Sequence, residues 1–559
     1  MEPYPIFTYR IEGVSLEKHV MMLSGRNATV ISYRSTGPID LILRPLLSLR
    51  DFHNLSRYNG VADGTPTIGG NRTSFLPYDG LPSIHFDLSE STYRADAFWY
   101  YNFSYPVEAY RGLDCIEDLF APGQWHCHVA PESPLTVVAS VGDAVSSDEA
   151  FHLAEGEERD RIGNLKTIAN DADDSFEGTL SRAAGAFIVR RKSGLSTILA
   201  GYPWFSDWGR DTMIALPGLT LITGRFKEAK EILTTFAGVC DQGMIPNRFP
   251  DHGTTPDYNS VDASLWFIHA VDRYLAYTGD TKGIHPAIWT AIKDIVEAYR
   301  EGTRYGIRME EDGLVTAGEE GVQLTWMDAK VGDWVVTPRS GKAVEINALW
   351  YNAVAIAQRL AQTFGDATFE KMCAQTKQKT ADSFESAFWN PDTHCLCDVL
   401  DGEHKDGSIR PNQILALSLP NRMLSRACEQ SVLQVVHEEL VTPYGLRSLS
   451  RNDPAYVGHY GGDTHERDGA YHQGTVWAWL IGPFITSWVR LHGGPSKARP
   501  KSRAFLNAFE QHLNQAGIGS ISEIFDGDPP HAPRGCFAQA WSVAEILRAY
   551  VEDIIGRRP

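Results

Sequence analysis

The chain has 559 residues, 43% of them hydrophobic, enough to bury at least two sizeable cores at roughly 100 to 200 residues per domain. Its 51 basic and 70 acidic side chains leave a net charge of −19, which repels phosphate backbones and anionic lipid and argues against nucleic acid and membrane surfaces as partners. The most apolar stretch, Ala478 to Trp488, is interrupted by Gly482 and Pro483, and the opening Met1-Glu2-Pro3-Tyr4 has no secretory signal character, so a cytoplasmic setting is expected.

From Ile6 to about Ser140 short β-rich runs alternate with turn clusters, among them Ala28 to Tyr33, Ile39 to Leu43 and Leu135 to Val141. Residues 1–142 are therefore expected to form an antiparallel β-domain. Residues 143–180 become dense in Asp, Glu and Arg and are expected to be a solvated helical linker.

Residues 181–559 read as one large all-α domain. Apolar residues recur at three- and four-residue spacing over Val261 to Thr278, Pro286 to Tyr299, Ile346 to Phe364, Phe369 to Phe388, Val432 to Leu440, Thr475 to Leu491 and Gln539 to Ile555. Gly279 and Gly365 follow two of these segments, where a left-handed glycine closes a helix.

The eight cysteines have no paired zinc-type spacing and no disulfide framework, so buried thiols and no metal are expected. Triplets of the glycosylation type begin at Asn27, Asn54, Asn71 and Asn102 and read as chance matches in a chain without a signal.

Four clusters carry chemistry. In Gly201 to Thr212, Arg210 offers a rigid fork of donors between Asp207 and Asp211, with Trp204 and Trp208 as walls, a set suited to gripping vicinal sugar hydroxyls. In Leu324 to Trp334, Asp328 stands beside Trp326 and Met327, so desolvation is expected to raise its pKa and keep a proton for a leaving oxygen. Ser520 to Asp528 places Glu523 and Asp526 before Pro529 and Pro530, in a loop able to project a carboxylate toward water. Pro443 to Trp479 mixes Arg447, Tyr456, His459, His472, Gln473 and Trp477, suiting hydroxyl recognition better than metal binding. No phosphate loop and no Gly-x-Ser-x-Gly nucleophile turn occurs.

At these motifs the chain resembles the glucosidase part of glycogen debranching enzymes, the bacterial and archaeal amylo-α-1,6-glucosidase family. The marks are Trp204 to Thr212, Gly243 to Arg248, Tyr258 to Trp266, Leu324 to Asp328, Gly332 to Trp334, Glu345 to Asn352 and Gln539 to Ser542. The resemblance implies an all-α (α/α)6 toroid preceded by a β-sandwich. It also implies hydrolysis of the single α-1,6-linked glucose at a glycogen or limit-dextrin branch with inversion, and no cofactor. Matched residue by residue, it makes Asp328 the general acid and Glu523 the base, with Asp526 in reserve. Arg210 and Asp211 would hold the sugar, with Trp204, Asp207, Asp262, Trp266, Arg447 and Trp477 around it.

Family members usually carry an additional β-rich stretch ahead of the segment that begins here at Tyr4, so an incomplete sandwich is expected. No segment corresponding to the glucanotransferase domain of the eukaryotic enzymes is expected either. Two other readings remain open at this level: another α/α-toroid glycosidase or phosphorylase on a smaller glucoside, and an inactive glycan-binding remnant.

Overall fold

The structure is a computed structural model that describes residues 4–51, 54–148, 150–163, 175–191, 194–249, 256–284 and 286–557, with side chains through residue 161 in the third segment. The chain divides into two compact units, Met1–Leu165 and Lys166–Pro559.

In the first unit β-branched and aromatic alternation yields, among the described residues, ten strands: β1 Ile6–Ile11, β2 Val14–Met22, β3 Ala28–Ser35, β4 Ile39–Leu43, β5 Thr67–Gly69, β6 Arg72–Phe75, β7 Ile84–Leu88, β8 Ser91–Ser104, β9 Ile116–Val129 and β10 Leu135–Val141. They form two antiparallel sheets, one ordered β1-β2-β3-β10-β7-β6-β5 and the other β4-β9-β8. Phe75, Phe86 and Val137 from the larger sheet share a core with Trp125, Cys127 and Val129 from the smaller, because alternate residues of each strand point to one face. The helix Ala150–Gly163, within the expected solvated linker, buries Phe151 and Ala154 against Val30 and Val138. Residues 149 and 164–174 of that expected linker lie outside the described residues.

The second unit is built from helices, chiefly Phe176–Phe187, Gly209–Leu216, Phe226–Gly238, Ala263–Thr278, Ala287–Glu301, Val344–Phe364, Ala367–Phe388, Arg426–Glu439, Ile481–Leu491 and Ala540–Arg548. Ser175, Asp366 and Ser425 accept backbone N–H bonds at three of the starts. Gly279 and Gly365 close two helices in the left-handed conformation the sequence predicts. One continuous core holds Tyr299, Trp350, Trp479 and Phe484. Gly218 is needed where the turn after Leu216 meets the helix Ala540–Arg548, because a Cβ there would collide with the Ala544 carbonyl. Among the described residues no helix is long and apolar enough to cross a membrane.

One expected helix is corrected. Over Thr475 to Leu491 the α-helix begins only at Ile481; Val476–Trp477 is a strand instead. The β-branched pair Thr475-Val476 favours extended backbone, and the strand is captured between Gly445–Arg447 and Ile524–Phe525, with Leu446 and Ile524 opposite Trp477. This five-stranded sheet, Val441–Thr442, Gly445–Arg447, Val476–Trp477, Ile524–Phe525 and Pro533–Arg534, brings the third and fourth chemical clusters side by side. Gly201–Tyr202 pairs with Ala538–Gln539, which ties the first cluster to the last family motif.

Candidate active site

Arg210 is where the first two clusters meet. It lies in the first turn of the helix Gly209–Leu216 and is 2% exposed. Its Nε donates to both Asp262 oxygens at 2.8 Å, and Nη1 donates to Asp328 Oδ2 at 2.9 Å. The helix start can approach this point because residue 209 is glycine; a Cβ there would strike the Pro246 carbonyl. Asp262 is buried, held by Arg210 and by the Ser260 hydroxyl at 2.5 Å, so it anchors the guanidinium. Asp207 is turned to Arg191 and to the Thr197 hydroxyl, which donates at 2.9 Å, and pins its own loop.

Asp328 keeps an open side: its side chain is 35% exposed, with Oδ2 on Arg210 and Oδ1 3.9 Å from His472 Nε2. The expectation that Trp326 and Met327 raise its pKa is overturned. Burial pushes the carboxyl up, but the interaction with His472 and the Arg210 charge outweigh it, and the group lies below its ordinary value. Trp326 itself faces inward, donating to Asn412 Oδ1 at 2.7 Å and meeting Trp477 and Trp479 edge-on.

Asp211, 8% exposed, behaves in the opposite way. Burial first, and then the charges of Asp328, Glu523 and Asp262, push its pKa up to about 8 against the pull of Arg210. Its carboxyl is therefore protonated at neutral pH. His472 Nε2 is 3.9 Å from Asp328 Oδ1, the Tyr471 ring packs 4.8 Å from that of His472, and the Tyr471 hydroxyl donates to Glu523, so the two carboxylates, far apart in sequence, flank one pair of adjacent rings.

Glu523 is 3% exposed, accepts from the Tyr471 hydroxyl, and takes the Cys536 N–H on Oε2 at 3.0 Å. Gly535, at φ +64°, is required beside it, since a Cβ would overlap Glu523 Oε2. Asp526 lies across the strand Ile524–Phe525, where odd and even positions face opposite sides. Its carboxylate takes the Tyr460 N–H at 2.9 Å, Arg534 Nε and Nη2 at 3.1 and 2.9 Å, and His459 Nδ1 at 3.2 Å. Such a set leaves it little capacity to activate water.

The remaining residues fall outside this centre or beneath it. Trp477 is 2% exposed and stacks on His472 at 5.0 Å. Arg447 donates to the Gly527 carbonyl at 2.9 Å and supports the Glu523 loop. Trp266, one helical turn past Asp262, lines a separate cavity of about 280 Å³ with His269, Arg273, Glu545 and Arg548. Trp204 is half-buried. Tyr471 went unnoticed in the sequence because nothing near it in the chain hints at Glu523, its partner 52 residues away. Among the described residues no group of three or more His, Cys, Asp or Glu could hold a metal ion.

Residues 182–548 match the amylo-alpha-1,6-glucosidase family, and residues 1–136 match the family described as glycogen debranching enzyme N terminal. The glycogen debranching enzyme of Saccharomyces cerevisiae (strain ATCC 204508 / S288c) is 24% identical over 490 residues, which cover 67% of this chain and 32% of that protein. The chain thus spans about a third of the length of the curated relative it matches. The crystal structure of a bacterial glucoamylase complexed with acarbose aligns over 97% of this chain and 82% of its own, with a TM-score of 0.62 at 12% identity, a likeness of fold. With its helical unit matched from residue 182 to residue 548, the chain belongs to the amylo-alpha-1,6-glucosidase family.

Proposed function

We propose that the chain is an inverting glycoside hydrolase that removes α-1,6-linked glucose from glycogen or limit dextrin, on an (α/α)6 toroid of paired inner and outer helices. Inversion needs an acid and a base on opposite faces of the sugar, about 6.5 to 9.5 Å apart so that water fits between. Asp328 is the acid and Glu523 the base. Asp211, protonated, and Arg210 hold the glucose hydroxyls. The observation that carries the reading is that Asp328, with its exposed side, and Glu523 stand beside the adjacent rings of His472 and Tyr471.

Asp328 is ionised in the free protein, and a glucosyl unit filling the cleft removes water from its exposed side and raises its pKa, readying it to protonate the leaving oxygen. Glu523, fixed by Tyr471 and Cys536, takes a proton from the attacking water. Asp526 serves its own ion pair with Arg534 and is not the base.

The test is incubation with phosphorylase limit dextrin, pretreated with a transferase to expose single branch glucoses, followed by anomer-resolved detection. Free glucose appearing first as the β anomer is expected. Glucose phosphate, the α anomer, or dextrin binding without release would each overturn the reading.

A further inference from the structure

We propose that His472 is a positioning residue for Asp328, a neutral imidazole that donates an N–H to Asp328 Oδ1 and holds the carboxylate toward the glycosidic oxygen. The inference rests on the acid role given to Asp328 above.

The His472 ring is 0% exposed. Trp477 stacks on it at 9° and 5.0 Å, Trp326 meets it edge-on at 87° and 5.2 Å, and Tyr471 closes another side at 4.8 Å. Among the described residues neither ring nitrogen has a hydrogen-bond partner. An orphaned buried nitrogen costs free energy that an apolar side chain filling the same cage would avoid, so packing alone gives no reason for an imidazole here. The nearest carboxylate is Asp328, with Oδ1 3.9 Å from Nε2. A displacement of about 1 Å by the partly exposed Asp328 brings the pair to hydrogen-bond distance.

The surrounding charges fit a neutral donor. Arg410 donates Nη1 to the His472 carbonyl at 2.8 Å. Arg210 lies beyond Asp328, bonded to its other oxygen. Tyr471, whose ring packs against that of His472, is a further titratable neighbour and is engaged with Glu523. Burial, then the two guanidiniums, keep the ring from taking a second proton, against the pull of Asp328. A neutral N–H on Oδ1 stabilises ionised Asp328, so its removal raises the pKa of that carboxyl. In the substrate complex activity falls on the alkaline side as the acid loses its proton, so loss of His472 moves the alkaline limb of the kcat profile upward.

The experiment compares wild type with His472→Phe, which fills the cage without a donor, and His472→Gln, whose Nε2 takes the place of the imidazole Nε2. Phe should raise activity at the alkaline end, relative to the optimum, about threefold or more, while Gln restores the wild-type limb. Equal limbs in wild type, Phe and Gln would overturn the proposal. Should Phe fail to fold, His472→Asn, whose amide ends short of Asp328, must show the same upward movement. A second readout is independent of turnover: the side-chain carboxyl 13C resonance of Asp328, assigned by its loss in Asp328→Asn, should titrate at higher pH in Phe than in Gln. If the wild type released no glucose, the functional reading would fall, and the titration would still decide the role of His472.

Discussion

At the scale of single residues the site is a set of carboxylates in different states of occupation. Asp262, Asp207 and Asp526 are consumed by Arg210, Arg191 and Arg534, while Asp328 retains an exposed side. Replacing Asp328 with Asn should keep dextrin binding and lower kcat by roughly 10²- to 10⁴-fold, as expected for lost acid assistance; turnover near wild type would remove the assignment. Asp211 gives a stability prediction. Its folded pKa, raised to about 8 by burial and neighbouring carboxylates, exceeds its unfolded value. Its contribution is therefore fully present below the ordinary carboxylate range and is lost as pH rises toward 8. Asp211→Asn should flatten the decline of the unfolding midpoint across that window, measured by urea titration at several pH values. An unchanged slope would mean the carboxyl is ionised throughout. That Asp211 sits beside Arg210 was visible in the sequence. That it is the neutral member of the group was not, because Asp328 and Glu523 come from distant segments.

At the scale of elements, the acid-bearing loop is held from behind by Arg339. This guanidinium, buried, donates to both oxygens of Glu345 in the helix Val344–Phe364, to Asp398 at 2.7 and 3.1 Å, and to Thr325 Oγ1 at 3.1 Å, three residues before Asp328. Removing it takes the guanidinium from buried Glu345 and leaves Asp398 only Arg410 at 3.9 Å and the Asn412 amide at 2.7 Å, a change that costs about 3–5 kcal/mol. Arg339→Met should shift urea unfolding by that order and reduce turnover further than it reduces stability. A midpoint near wild type would show the pair to be dispensable. The helices themselves were readable from spacing and from glycine closures such as Gly279 and Gly365. The strand Val476–Trp477 was not, since a two-residue strand has no period to read and exists only through its partners Leu446 and Ile524.

At the scale of the whole molecule, the net charge is −19, and the proposed substrate is neutral. Its capture should then be insensitive to screening: KM for limit dextrin is expected to stay within about twofold between low and high salt, measured at fixed pH. A strong salt dependence would point to a charged ligand instead. The sequence by itself determined the β-rich first part, the helix-rich remainder, and the clusters around Arg210, Asp328 and Glu523, because periodicity, turn chemistry and residue type are local properties. Only the tertiary structure decided which of those carboxylates are occupied and which way their pKa values move. Desolvation and ion pairing depend on distances between segments as remote as residues 210, 328, 472 and 523, and no local pattern encodes those distances.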